Sequence, residues 1–202
     1  MTPHLHPIHR LQKILKRKKI KTFLVTSIVN LRYLTGVECS AGCMIIAPQS
    51  AELFLDARYF SAASKHSIPG VRVTSLTMLR DRMKKLRRIH IEGDQVTLTM
   101  LSRWQARYKN TKFIQTSGLI EELRRSKSPS EIASIKHACA ITLSILKKMP
   151  QLLKIGITER AVSRSIEELA QKLGAEAMAF ETIVGFGAVS YTHLTLPTKR
   201  IV

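Results

Sequence analysis

The stretch that decides the architecture is Ser128 to Met149, "SPSEIASIKHACAITLSILKKM". Ser128 can offer an N-cap oxygen, Pro129 suits the first helical position, where an N–H is not needed, and Glu131 can reach back to the cap amide, so a capping box predicts a helix start here. Ile132, Ile135, Ala138, Cys139, Ile141 or Thr142, Ile145 and Leu146 recur at helical spacing and predict one buried stripe. A second helix is predicted from Thr158, with Gly174 placed to end it in the left-handed conformation. "FETIVGFG", Phe180 to Gly187, then reads as a strand entering a glycine-bearing loop. The dense charge of "EELRRSKSPS" just upstream, where the periodicity resets, marks a domain boundary.

Ahead of that boundary the grain is shorter. Ile8, Leu11, Ile14 and Leu15 share one face and predict an amphipathic helix over residues 8–19. "KTFLVTS" reads as a strand, and "VNLRYLTG" as a short apolar stretch with turns at Asn30 and Gly36. "CMIIA" and "AELFLD" form a hairpin signal of the longer-loop kind. "ARYFSAASKH", "TMLRDRMKKLRR" and "TLTMLSRWQARYK" have helical spacing, alternating with strand-like "GVRVTS", "IHIEGD" and "TKFIQTS". Helices alternating with short strands argue for a compact α/β domain.

The chain has 202 residues, 45% of them hydrophobic, enough for a packed core, and its 33 Lys and Arg against 14 Asp and Glu give a net charge of +19. The excess falls in short runs, "KRKKIK", "RMKKLRR" and "LRRSK", and is not gathered on one helix, so a solvated basic surface is expected and nucleic acid is not the expected partner. Three cysteines, Cys39, Cys43 and Cys139, predict no disulfide framework and favour a reducing, cytoplasmic compartment. No apolar run approaches the ~20 residues that a membrane span requires, and no membrane partner is expected.

Candidate chemistry is sparse. Cys39 and Cys43 stand four apart, but a second ligand pair does not follow them, and they are expected to be small buried hydrophobes. His4, His6 and His9 could grip a metal, although a His- and Pro-rich terminus is ordinarily solvated. Asp56 ends a strand, where both catalytic carboxylates and turn residues occur. Trp104 could stack on a base or pack in the core, with packing favoured. Gly185 and Gly187 are too few for a dinucleotide loop. From the residues alone, the reading is an α/β domain and the start of another, with no catalytic, substrate-binding or metal-ligating residue assigned.

Four stretches together sharpen this. "NLRYLTG" (Asn30 to Gly36), "LFLDARYFSAA" (Leu53 to Ala63), "LRRSKSPSEIASIKHA" (Leu123 to Ala138) and "GITERAVSRSIEELAQKLGAEAMAFETIVGFG" (Gly156 to Gly187) resemble, in order and spacing, the Xaa-Pro aminopeptidase and Xaa-Pro dipeptidase family. The resemblance implies a creatinase-like N-terminal α/β domain with a mixed sheet over residues 1–122. A truncated pita-bread α+β metallopeptidase domain would follow over 123–188. It further implies a cytoplasmic, homo-oligomeric enzyme that uses two divalent metal ions, commonly manganese, to cleave a peptide with proline at its second position. The family's ligands, two Asp, one His and two Glu, would all lie beyond "FETIV", so this chain is expected to bind no metal and to be inactive. The alternative is a non-catalytic creatinase-like module whose basic surface engages nucleic acid or an acidic protein.

His193, in "SYTH", falls near the place of the family's substrate-facing His, but Thr192 stands where its Pro is expected. Back-translated, Val189 to Thr198 resembles the transposase-end adapter of sequencing libraries. Lys199, Arg200 and Ile201 would then be barcode and Val202 the last codon before a stop. Residues 189–202 are therefore expected to be a non-native tail, and His193 an artefact of it.

Overall fold

The computed structural model describes residues 5–65 and 68–187, and the chain falls into two compact units, 1–126 and 127–202. In the first, α1 (Pro7–Arg17) leads into β1 (Phe23–Val25), α2 (Ile28–Thr35) and the hairpin β2 (Gly42–Ala47) and β3 (Ser50–Leu55). After α3 (Ala57–Lys65) come β4 (Val71–Ser75), a 3-10 turn, α4 (Leu79–Lys84), β5 (Arg88–Glu92), α5 (Leu98–Arg107), β6 (Lys112–Thr116) and α6 (Leu119–Arg125).

The six strands form one sheet in the order β4-β3-β2-β1-β5-β6. Only β2 runs against its neighbours β1 and β3, while the other pairs are parallel, so the sheet is mixed, as expected. Its middle strands are apolar on both sides because both faces are covered. Phe23, Val25, Met44, Ile46, Leu53 and Leu55 pack toward α1, α2, α3 and α6. Their alternates, Leu24, Cys43, Ile45 and Phe54, pack with Met83 of α4, Ile89 and Tyr108 in the other layer. Trp104 belongs to this second layer, stacked on Phe113 with centroids 5.9 Å apart, so its ring serves the core.

Several local readings differ from expectation. "VNLRYLTG" is a helix, because Gly36 at φ 71° is its left-handed C-cap and Asn30 points inward instead of turning the chain. The hairpin has a two-residue connection, with Ala47 registered opposite Ser50. α6 brings Leu119, Ile120 and Leu123 into the first layer's core, and the chain divides after Ser126.

The second unit holds α7 (Pro129–Leu152) and α8 (Glu159–Lys172). The capping box at Ser128 forms as predicted, with Glu131 N–H donating to Ser128 Oγ at 3.2 Å and Ser128 N–H to Glu131 Oε2 at 2.7 Å. Thr158 Oγ1 caps α8, and Gly174 turns at φ 91°. The predicted stripe on α7 exists, but only Ile145 is buried, while Ile132, Ile135, Cys139 and Leu146 are exposed. "FETIV" is not a strand, since a lone extended segment has no neighbour to pair its amides.

Two histidines give the fold an acid sensitivity. Burial, and then the proximity of His9, lowers the pKa of His6, whose Nδ1 accepts the Ile8 N–H at the start of α1. Burial, and then Arg88, lowers that of His90, which bonds Thr116 Oγ1 at 2.7 Å. Both rings are held neutral below the ordinary 6.5, so the unfolded chain binds more protons and stability drops as pH falls through that value. The Tm should decline between pH 7.5 and 5, and His90→Gln should flatten the decline. A Tm that is constant over this range would contradict the assignment.

Candidate functional site

The densest buried polar constellation of the first unit lies where β1 and β5 end. Glu92, the last residue of β5, is 4% exposed, and Asn30, on α2, is 1% exposed. Glu92 Oε2 accepts the N–H of Thr26, the Thr26 hydroxyl at 3.1 Å and the N–H of Ser27 at 2.8 Å. The Glu92 carboxylate thereby occupies the amino terminus of α2, where free amides and the helix dipole favour a negative charge. Its other oxygen, Oε1, accepts Asn30 Nδ2 at 2.8 Å. Asn30 Nδ2 also donates to Glu121 Oε1 at 2.8 Å, and Asn30 Oδ1 accepts Arg124 Nη1 at 3.2 Å.

Both N–H groups of the Asn30 amide and its oxygen are therefore engaged, and its orientation is fixed by its partners. The Glu92 carboxylate is buried and engaged by four donors, three on Oε2 and one on Oε1, so this constellation ties α2, β5 and α6 together. Sequence reasoning passed over Glu92. The available signal was an acid closing the strand "IHIE" on the His90 face, opposite Ile89 and Ile91.

The other candidates are separate from this network and from one another. Asp56 follows β3, and its Oδ1 accepts the Arg58 N–H at 3.0 Å and Arg58 Nε at 2.9 Å, which hold its carboxyl below the usual range. It shapes the first turn of α3 at the surface. Burial pushes the Cys43 thiol up to about 12, leaving it an inert core residue. Burial also raises Cys39, and all three cysteines are free. The rings of His6 and His9 meet edge to face at 6.3 Å. In the second unit Gly187 turns at φ 63°, and the Phe186 N–H donates to Glu159 Oε1 at 2.8 Å. His4, His193 and the tail from residue 189 lie outside the described residues.

Among the described residues no group of three or more His, Cys, Asp or Glu is placed to hold a metal ion. These residues do not form the five-ligand set that a two-metal peptidase uses. No helix among them is long and apolar enough to cross a membrane.

Residues 7–126 match the model of the creatinase/prolidase N-terminal domain, and residues 133–201 match that of metallopeptidase family M24. A Mycoplasma genitalium protein named as an Xaa-Pro aminopeptidase is 32% identical over 197 residues, covering 95% of this chain and 54% of its own length. Its Mycoplasma pneumoniae counterpart is 32% identical over 183 residues, covering 88% and 50%. The solved Xaa-Pro dipeptidase from Bacillus anthracis superposes with a TM-score of 0.76 at 27% identity, covering 85% of this chain and 50% of that one. The chain spans about half the length of the curated relatives it matches. With its mixed six-stranded α/β domain followed by a segment that matches metallopeptidase family M24, the chain belongs to the creatinase/prolidase family of Xaa-Pro peptidases.

Proposed function

We infer that this chain is the amino-terminal part of a metal-dependent Xaa-Pro aminopeptidase, acting on peptides with proline at the second position, and that it is not itself a peptidase. The carrying observation is the pairing of a creatinase/prolidase N-terminal match over residues 7–126 with an M24 match over residues 133–201. In the intact enzyme two divalent ions, manganese by our reading, would supply a hydroxide nucleophile and stabilise the oxyanion. The first unit would contribute a rigid scaffold whose β5–α2–α6 corner is set by Glu92 and Asn30. The cytoplasm is its proposed compartment and a homo-oligomer its proposed assembly.

Equilibrium dialysis against manganese, followed by metal analysis, is expected to leave well under one ion per chain. Two retained ions per chain would overturn this reading.

A further inference from the structure

Cations from three stretches far apart in sequence, "KRKKIK", "RMKKLRR" and Lys109 with Lys112, meet in the fold, while "LRRSK", at the end of α6, contributes none of them. Because β1, β3, β4, β5 and β6 all point the same way, their first residues line a single edge of the sheet. The helices that precede β1, β5 and β6 end at that edge as well. Register carries this to single residues. Phe23 pairs with both Ile46 and His90, which sets Lys21 beside Pro48 and Arg88, and Arg88 pairs with Lys112. Cations in the last turns of α1 and α4, such as Arg17 and Lys84, complement helix dipoles and need no further reason. Lys19, Lys21, Arg87, Arg88, Lys109 and Lys112 lie beyond the helices, in loops and at strand starts, and all six are exposed.

Among the described residues none of the six is ion-paired with an acid. Glu52, on β3, and Asp81, on α4, are taken by Arg82 at 3.0 Å and Lys84 at 3.3 Å. Asp56, Glu92 and Glu121 lie at the opposite edge, where strands end and helices begin. A shallow groove of about 400 Å³ opens among Lys16, Lys19, Lys21, Gln49 and Ser50, floored by Leu15, Ile20 and Pro48. Lys19 has φ 56°, the single positive value at a non-glycine among the described residues. A glycine would suit that helix end better, so a cation stands at the groove where conformation alone would favour none.

We propose that this edge binds the phosphate backbone of a nucleic-acid duplex without reading its sequence. The cations cross β1, β5 and β6, two strand spacings of ~4.8 Å, or ~10 Å in all, comparable to the ~12 Å between phosphate rows across a major groove. Single strands are held largely by base stacking, and the edge offers no ring for it, since Trp104 is engaged with Phe113. A membrane surface is disfavoured too. The exposed large apolar side chains of the first unit, Leu5, Val29, Phe60, Met78 and Leu98, sit before or within helix starts at the other edge.

The test is fluorescence anisotropy of a labelled DNA duplex of ~20 base pairs, titrated with the full chain from ~50 to ~200 mM salt, with phosphatidylserine vesicles as a second probe. The Lys19→Gly, Lys21→Gln, Arg88→Gln, Lys112→Gln variant should bind at least ~10-fold more weakly at low salt, its log–log salt slope reduced by about 3 to 4. Arg88→Gln with Lys112→Gln alone should reduce the slope by about 2, and its few exposed changes leave the fold intact. A control replacing exposed Lys147, Lys148, Arg160 and Arg164 by Gln removes the same four charges and should stay within ~3-fold of the parent. The proposal is overturned if the parent fails to bind duplex at low salt, if edge and control variants lose affinity equally, or if vesicles are bound in preference to duplex.

Discussion

Replacing Glu92 with alanine is expected to remove about 3–5 kcal/mol from the stability of the first unit, the range found when one partner of a buried charged network is deleted. Four donors lose their acceptor at once: the N–H groups of Thr26 and Ser27, the Thr26 hydroxyl and Asn30 Nδ2. Each buried donor left unpaired costs about 1–3 kcal/mol, less where water can enter. Glu92→Gln keeps the volume but has one acceptor oxygen where the carboxylate had two. Its amide must then face either Asn30 Nδ2 or the three donors on the Oε2 side, so a smaller loss of about 1–3 kcal/mol is expected. Urea unfolding followed through the single Trp104 measures this, because that ring lies in the core of the same unit. An alanine variant within ~0.5 kcal/mol of the parent would show that the network does not hold the corner together.

Phe54→Ala should have a comparable effect for a different reason. Phe54 is 1% exposed and packs with Leu24, Ile45 and Met83, so truncation both forfeits apolar transfer energy and leaves a cavity. Losses of about 3–5 kcal/mol follow such substitutions, against a total stability of about 5–15 kcal/mol for a domain. Phe180→Ala, at a ring 76% exposed, should shift stability by no more than ~0.5 kcal/mol. Equal effects of the two would mean that the second sheet face is not packed as described.

Much of the first unit was legible because its signals are local. The alternating or doubly apolar runs around Phe23, Met44, Leu53 and Ile89 can bury themselves only as sheet, and the capping box at Ser128 names its own helix start. What failed was legible only in three dimensions. Asn30 and Gly36 look like turn residues, and the helix between them follows from Gly36 acting as a C-cap while Asn30 is held by Glu92, 62 residues away, and Glu121, 91 away. Neither partner is marked in sequence, so the buried network could not be read from spacing. The α7 stripe and the "FETIV" strand carry correct local patterns, but burial and pairing require partner surfaces that these residues do not supply by themselves. The basic edge was hidden similarly, since the cations that precede β1, β5 and β6 become neighbours only through the parallel register of those strands.

The relation of this chain to peptidase chemistry is most directly tested by incubating it with manganese and a peptide carrying proline at its second position. Release of the amino-terminal residue is then followed by mass spectrometry alongside an active Xaa-Pro aminopeptidase. The account predicts no release above the metal-only control at any chain concentration. Turnover that scales with the amount of chain and stops on chelation would contradict it.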